Sequence, residues 1–443
     1  MVDSSEQIAE EVGKYLSQHQ EVASTLPAAG ISWVDAHREA ASKRFEQLGF
    51  PTTRDEQWKY TNVRSIARHA FDLSLNPVDV NPSVINKLTI PNLDAHRLVF
   101  TDGIFSPLLS QISDLPKGVT IISLAALLRS DPSRLENKFG EVVGEPINGF
   151  NAMNSAFILD GAFIEIESGV KLEKPIELLY VSASTNEQAL ALPRNIVVLR
   201  KQSSATLCER YISVTHSQSL TSSVSEVYIE DNGILHIDRV NEENDKSFNI
   251  GALFANVGRN ARLKSNSITL GGRLVRNDIV VRLSEDGAET QLDGLYVVND
   301  RQHVDNNTQV LHDHPRTTSR EHYKGILSGK ARAVFRGHIS VKPEAQGADA
   351  VQKNNNLLLS PEAEVDTMPQ LEIYADDVKC AHGATVGQLE EEAIFYMRSR
   401  GIGYAETRQL LTHAFAAEIL ENLGQSSIKD YIENRINHMM GLS

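Results

Sequence analysis

Cysteine is nearly absent from this chain of 443 residues, which contains only Cys208 and Cys380. Two cysteines are too few for a disulfide scaffold. No apolar run approaches the length of a membrane span, and the opening stretch MVDSSEQIAEEVGKYL lacks the basic and apolar regions of a signal or transit peptide. We therefore expect a cytoplasmic protein that spans no membrane and keeps both thiols reduced.

Basic residues are outnumbered, with 43 Lys and Arg against 58 Asp and Glu and a formal charge of −15. This balance argues against nucleic acid or an anionic membrane as the main partner. The motifs GxGxxG, GxSxG, HExxH and CxxC are missing, and residues 325–330 are one residue too short for a phosphate-binding P-loop. We predict that this chain binds no nucleotide and is not an enzyme.

Helical periodicity dominates the start of the chain, and we assign residues 1–94 to an N-terminal helical domain. The spacing of Ser32 and Asp35 predicts a capping box before a helix that Gly49 ends. Trp58 and Tyr60 lie in an aromatic and polar segment that is more typical of a packed helix–loop junction than of a ligand site.

Short β-rich runs replace the helical pattern from about residue 161, joined by brief links rich in Gly, Asn, Asp and Ser. This texture excludes a doubly wound α/β fold. A small residue often follows a turn and precedes a strand, as at residues 287–289, 329–331 and 361–363. The recurrence predicts a mainly β fold with a β-solenoid core over residues 95–385, of which 95–160 form a mixed lead-in. A large sandwich or barrel is the alternative.

Helical periodicity returns over residues 386–443, which we assign to a C-terminal helical domain. The spacing of Thr385 and Gln388 predicts a capping box, and helices are expected over about 388–399, 405–423 and 427–440. Such a small unit has little core of its own, so it must dock on the solenoid or on a partner. We expect the apolar face of its second helix to be half core and half available to another protein.

Cys380 and His382 are the strongest candidates for metal ligands. If the strand at 371–374 continues through 382, then Asp376, Val378, Cys380 and His382 share one face. Thiolate and neutral imidazole both bind zinc, copper and iron–sulfur clusters, but two ligands do not close a site. The alternative is a buried thiol beside a hydrogen-bonded histidine.

Histidines also cluster within about forty residues, beside Asp305 and Asp313. The cluster contains His303, His312, His314, His322 and His338. His312 and His314 are predicted to share a strand face, which can bind metal if a third donor arrives. The alternative is a set of structural side chains on the solenoid, and Cys208 is expected to be a small buried hydrophobe.

Several strings of this sequence resemble the SufB/SufD family of iron–sulfur cluster assembly proteins, and within it the SufD type of subunit. They are HDHPRTTSREHYKGIL, ARAVFRGHISVKPEAQGADAVQKNNNLLLSPEAEVDT and PQLEIYADDVKCAHGATVGQLEEEAIFYMRSRGI. The resemblance is dense over about residues 295–420 and thinner at residues 54–60 and 150–157. The presence of only two cysteines favours the SufD type over the thiolate-richer SufB type.

The resemblance implies a right-handed parallel β-helix between two helical domains, in a scaffold complex with SufB and the ATPase SufC. SufB would pair through the last β-helix strands, with a transient iron–sulfur cluster near that interface, His382 as a ligand and Cys380 beside it. SufC would dock on the C-terminal helices, through Phe395, Leu410, Leu411, Phe415 and Ile419. A homodimer of the isolated chain and a flavin on the complex are left open.

Two other functions remain as alternatives to a cluster-binding subunit. The chain can be a purely structural adaptor, which holds SufC and orients SufB without supplying a ligand. A β-helical carbohydrate-active enzyme would instead need a pair of carboxylates in an exposed groove. The sequence offers no clear pair of this kind.

Overall fold

A computed structural model describes residues 4–439, except residues 113, 146 and 187, with side chains from residue 10 onward. The fold is mainly β, with 40% strand and 25% helix, and its core is a parallel β-solenoid of about 7 turns. The predicted solenoid is therefore confirmed, and the alternative of a sandwich or barrel is wrong. Residue 440, the predicted end of the last helix, lies outside the described residues.

The strands fall into a lead-in group and a long regular group. The lead-in strands are β1 (Asp72–Leu73), β2 (His96–Thr101), β3 (Ile104–Phe105), β4 (Val119–Ser123), β5 (Ala162–Ile166), β6 (Ile176–Ser182), β7 (Ala189–Ala191) and β8 (Arg194–Leu199). The regular strands are β9 (Ser204–Ser213), β10 (Ser219–Ile229), β11 (Ile234–Glu242), β12 (Phe248–Val257), β13 (Arg262–Thr269), β14 (Leu274–Leu283), β15 (Glu289–Val298), β16 (His303–His312), β17 (Thr318–Leu327), β18 (Arg332–Val341), β19 (Ala348–Leu358), β20 (Glu364–Ile373) and β21 (Val378–Gly387).

Successive strands alternate between two sheets, and each regular strand pairs in parallel with the strand two places along the chain. One sheet runs β20-β18-β16-β14-β12-β10-β8-β5-β4, and the other runs β21-β19-β17-β15-β13-β11-β9-β6-β2-β3. Parallel neighbours need a long crossover. Here the strand in the opposite sheet is that crossover, which explains why the sequence shows β-rich runs without helices between them.

The space between the two sheets, the lumen, holds the main hydrophobic core. One inward column in the first sheet consists of Ile164, Val197, Val227, Ala255, Val281, Val310, Ile339 and Leu371, which are in register from strand to strand. All but Leu371 are buried. Because burying an aliphatic side chain stabilises a fold by about 1.5–3 kcal/mol, such columns supply the stability that disulfides do not.

One corner of the solenoid repeats the same backbone conformation in turn after turn. Its residues have a positive φ of 50–75° and are Gln202, Asn232, Asn260, Gly287, Arg316 and Gly347. Each donates its backbone N–H to the next turn, as Asn260 does to the carbonyl of Asp286 at 3.1 Å. The small residues predicted after turns, Ala288, Ala331 and Ala363, are buried here or at the opposite corner.

The helices flank the solenoid. They are α1 (Ser4–Val22), α2 (Ser32–Leu48), α3 (Arg64–Ala67), α4 (Pro82–Leu88), α5 (Leu124–Ser130), α6 (Gly149–Phe157), α7 (Glu391–Ser399), α8 (Tyr404–Leu420) and α9 (Ser426–Met439).

The first helices pack on the outer face of the first sheet, in a cluster with Phe248 and Ile250. Trp58 belongs to it, and the Arg276 guanidinium carbon lies 3.8 Å from the centre of its ring. The predicted packing role of Trp58 is confirmed, and Tyr60 is half-buried.

Helices α8 and α9 pack on the outer face of the second sheet. Ile419, Ile428 and Ile432 are buried there against strand residues such as Leu295. Polar contacts add to this docking, since Arg435 Nε lies 2.7 Å from Glu242 Oε1. The C-terminal unit therefore docks on the solenoid, which is one of the two outcomes expected from its small size.

Cys208 is fully buried in the same cluster as α8 and α9. Its burial raises the pKa of the thiol well above the ordinary value. The expectation of a small buried hydrophobe is therefore confirmed.

The predicted helix caps are the main local errors. Helix α2 has Ile31 as its N-cap and no side-chain cap. Asp35 instead accepts the N–H of Gly30 at 2.9 Å, outside the helix. Helix α7 begins at Glu391, because Thr385 belongs to β21 and accepts a hydrogen bond from Asn355 at 2.8 Å.

Candidate functional site

The last turn of the solenoid, formed by β20 and β21, is open. Among the described residues, β20 pairs only with β18 and β21 only with β19, so one edge of each strand has no neighbour. Most of their side chains are exposed or only partly buried, unlike those of preceding turns. Exposed edges of two ten-residue strands are templates for another chain, which natural proteins otherwise cover or blunt.

The two candidate ligands lie on the lumen side of this open turn. Cys380 is in register with the buried Ala350, and His382 is in register with the buried Gln352. Because side chains alternate along a strand, Cys380 and His382 point toward the lumen from the same face of β21. The prediction that these two residues share a face is confirmed.

The strand that was predicted to run through residues 371–382 does not exist as one element. Strand β20 ends at Ile373 and β21 begins at Val378, with a corner of the solenoid between them. Asp376 lies in that corner, so it does not share the face of Cys380 and His382. Strand β21 continues through Gly383 and ends at Gly387.

Cys380 is partly buried and packs against the lumen core. Burial raises the pKa of its thiol above the ordinary value, although a hydrogen bond with the backbone of Ala350 opposes the shift. A raised pKa keeps the thiol protonated near neutral pH, and the protonated form is a poor metal ligand. Cys380 would therefore need a metal ion or a partner to lose its proton.

His382 is exposed, and within the part of the chain that the structure describes its ring has no hydrogen-bond partner. A free imidazole on an open strand is available to bind a metal ion from either ring nitrogen. Among the described residues, no group of three or more His, Cys, Asp and Glu side chains is arranged to hold a metal ion. Any cluster at His382 would therefore need ligands from outside this chain.

A polar group that sequence reasoning missed lies in the lumen below His382. Thr308 Oγ1 donates to Glu321 Oε2 at 2.7 Å, and Gln352 Nε2 donates to the same oxygen at 3.1 Å. Burial raises the pKa of Glu321 to about 7, while both hydrogen bonds oppose the shift. These residues come from three strands far apart in the sequence, so no local motif could have joined them.

The histidine cluster does not form a metal site in the described structure. His312 is buried and hydrogen-bonded to Thr317 and Ser319, and burial lowers its pKa to about 4. Strand β16 ends at His312, so the prediction that His312 and His314 share a strand face is wrong.

The remaining histidines of the cluster are also separated. His303 bonds to Thr61 at 2.9 Å, and His322 bonds to Asn355 at 3.1 Å. His338 lies 3.3 Å from a carboxylate oxygen of Glu372. The structural interpretation therefore fits this region better than metal binding.

The residues predicted to contact an ATPase differ in their exposure. Phe395 is 74% exposed on α7 and Leu410 is 41% exposed on α8. Leu411 and Phe415 are half-buried. Ile419 is completely buried between α8 and the second sheet. Ile419 therefore belongs to the core half of the helix and is not available to a partner in this structure.

The described helices include none that is both long and apolar enough to cross a membrane. The fold and the site thus define a β-solenoid with one open end, on which a thiol and an imidazole face the lumen. Family models match nearly the whole chain, the SufBD protein N-terminal region over residues 9–178 and the SUF system FeS cluster assembly, SufBD core domain over residues 181–415. The chain belongs to the SufBD family of iron–sulfur cluster assembly proteins.

Full-length relatives agree with this assignment. The chain is 31% identical over 405 residues to the iron–sulfur cluster assembly protein SufD of Escherichia coli, which covers 90% of this chain and 92% of that protein. It is also 31% identical over 402 residues to an iron–sulfur cluster assembly SufBD family protein of Synechocystis, with 88% of each chain covered. The resemblance found in the sequence is therefore confirmed, and the chain is a SufD homologue.

Proposed function

We propose that this chain is a non-catalytic subunit of a cytoplasmic SufB–SufC–SufD scaffold complex. It pairs with SufB through β20 and β21, and it carries one SufC ATPase on its C-terminal helices. His382 supplies a ligand to the cluster that forms at the SufB interface, and Cys380 lies beside it. The units that perform these tasks are residues 1–94, 95–385 and 386–443.

The observation that carries this proposal is the open last turn with His382 on its lumen side. Pairing with a second solenoid would satisfy the free backbone groups of β20 and β21. It would also bring the partner's side chains over the lumen, where His382 and Cys380 already point. The ligands that this chain lacks would then come from SufB.

The surface around α7 supports the SufC assignment. Phe395, Tyr396 and Tyr404 are at least half exposed, and the 41% exposed Leu410 follows on α8. Exposed aromatic side chains near a rigidly docked helix are typical of protein interfaces. The docking surface in this proposal comprises Phe395, Leu410, Leu411 and Phe415, without the buried Ile419.

The firm docking of α8 and α9 gives the complex a way to use ATP. When two SufC subunits close on ATP, they would pull on the C-terminal units of SufB and of this chain. Because α8 and α9 are packed on the second sheet, the force would reach β21 through the solenoid. The closed SufC pair would make contacts that the open pair lacks. The free energy of these contacts would open the interface to iron and sulfur.

The test is anaerobic cluster reconstitution on the complex of this chain with SufB and SufC. His382→Ala should lower the iron content and the iron–sulfur absorption while the complex stays intact. His314→Ala, at an exposed histidine outside the open turn, is the matched control and should have no effect. Unchanged cluster formation in His382→Ala would refute the ligand role.

The alternative function is that of a purely structural adaptor. Under it, His382→Ala is silent, and Leu410→Ala, which weakens SufC docking, is what lowers cluster formation. The partial burial of Cys380 is compatible with this alternative, but the exposed and unpartnered ring of His382 favours the cluster-binding role. Measuring both variants on the same complex separates the two functions.

A further inference from the structure

Only the nitrogen of the Gln352 side-chain amide is hydrogen-bonded among the described residues; the oxygen is not. Its Nε2 donates to Glu321, which Thr308 also contacts, and both Gln352 and Glu321 are almost completely buried. Gln352 Oε1 is buried and has no hydrogen-bond partner among the described residues. Because leaving a buried acceptor without a hydrogen bond is costly, a donor is expected to reach Gln352 Oε1 in a functional state.

The fold makes room for this amide at a specific place. Gly337, in the opposite sheet, faces the Gln352 side chain, and a Cβ added there would lie 2.1 Å from Gln352 Nε2. Any other residue at position 337 would displace the amide. The Gln352 side chain therefore crosses the lumen directly beneath the open turn.

His382 is the donor of the open turn that lies in direct register with this amide; Thr367 on β20 also faces the lumen, but it is in register with Phe335, two residues from Gly337. His382 is in register with Gln352, whereas Pro369, in register with Gly337, has no N–H. Of the residues beside His382 on the same face, Ala384 has no donor and Cys380 has a weakly donating thiol. Adjacent strands lie about 4.8 Å apart. Gln352 Oε1 is therefore within reach of a ring N–H if the exposed His382 side chain rotates toward the lumen.

We propose that Gln352 is the positioning residue for His382, accepting one ring N–H through Oε1 and leaving the other ring nitrogen for the metal. Glu321 and Thr308 hold the amide in the orientation that this contact needs. Histidines that bind metals nearly always donate the second ring N–H to such an acceptor, which fixes the tautomer and the ring orientation. This inference rests on the proposed function, because it assigns Gln352 a task only if His382 binds the cluster.

The test is the tautomer of His382 in the full-length chain labelled with ¹⁵N-histidine. Two-bond ¹H–¹⁵N correlation spectra report which ring nitrogen carries the proton, and the His382 signals are those that disappear in His382→Ala. In the wild type, His382 should favour one tautomer more strongly than the exposed His314. Gln352→Met, which keeps the size but removes the acceptor, should abolish this difference.

A matched variant excludes a merely structural effect. Asn354→Ala removes a buried amide two residues along the same strand and should not alter the His382 signals. In the reconstituted complex, Gln352→Met should weaken iron retention by about 10-fold or more. An unchanged tautomer in Gln352→Met, or no preference in the wild type, would overturn the inference.

The two proposals fail in different ways. If His382→Ala removes the cluster but Gln352→Met changes neither the tautomer nor the iron content, only the positioning role is wrong. If His382→Ala leaves the cluster intact while Gln352→Met shifts the tautomer, the contact exists but the proposed ligand role is wrong.

Discussion

At the scale of single residues, Glu321 is a buried acid whose ionisation opposes folding. Burial raises its pKa from 4.5 to about 7, so the native state holds its proton more tightly than the unfolded state does. Below about pH 4.5, Glu321 is protonated in both the native and the unfolded state and does not lower the free energy of unfolding. As the pH rises from 4.5 toward 7, the unfolded state loses its proton first, and the free energy of unfolding falls. Glu321→Gln should therefore gain stability relative to the wild type over this window, by as much as roughly 3 kcal/mol at pH 7.

Urea unfolding of both proteins between pH 4.5 and 8 measures this difference. Glu46→Gln, on the exposed face of α2, is the control and should follow the wild type at every pH. A constant offset between Glu321→Gln and the wild type across the whole range would contradict the expectation.

The two cysteines should differ sharply in reactivity. Cys208 is completely buried, and partial burial raises the pKa of Cys380. Because the thiolate is the reactive form, iodoacetamide should label Cys380 slowly at pH 7 and faster up to and beyond pH 9. Cys208 should stay unlabelled until the chain is unfolded. Mass spectrometry of timed samples measures both rates, and equal labelling of the two cysteines in the folded chain would contradict the structure.

At the scale of elements, α8 has two faces with separate tasks. Ile419 is buried against the second sheet, so Ile419→Ala should lower the free energy of unfolding by about 3 kcal/mol. Leu410 is 41% exposed, so Leu410→Ala should change stability by less than about 0.5 kcal/mol. In calorimetric titrations with SufC, Leu410→Ala should nevertheless bind more weakly. Full SufC affinity in Leu410→Ala would remove this face of α8 from the docking surface.

The elements also show what the sequence could and could not predict. The solenoid was predictable because small residues such as Ala288 and Ala331 recur at its corners, where they are completely buried. The sequence repeat is not strict, because the corner position with a positive φ is filled by Asn260, Gly287 and Arg316 in three successive turns. The predicted cap at Thr385 failed because pairing with β19 extends β21 past it, and such pairing depends on residues distant in the sequence.

Part of the candidate site was predictable from the sequence and part was not. Cys380 and His382 were recognised because alternation along one strand needs only local spacing. Glu321, Gln352 and Gly337 were missed because stacking of successive turns brings them together. Register between turns is not visible in a single strand, so the support below His382 emerges only from the fold.

At the scale of the whole molecule, the solenoid lies between two helical units and ends in one open turn. The N-terminal helices cover the first sheet and the C-terminal helices cover the second. The outer face of each sheet is thus covered in part by helices of the chain itself, whereas no strand among the described residues pairs with the outer edges of β20 and β21. A partner that continues the solenoid would bury the lumen side of β21 and leave its outer side exposed. The two sides of β21 therefore provide a matched test of the proposed pairing with SufB.

Ala384 and Ala381 lie on opposite sides of β21, Ala384 toward the lumen and Ala381 outward, and both are exposed in the isolated chain. Ala384→Asp should abolish the complex with SufB, because pairing would bury an unpaired carboxylate. Ala381→Asp should leave the complex intact, since its side chain stays in water. Both variants should unfold within about 0.5 kcal/mol of the wild type and keep SufC binding. Size-exclusion chromatography with light scattering measures the complex and any homodimer of the isolated chain. Equal loss of SufB binding in both variants would instead indicate a partner that covers the outer face of β21.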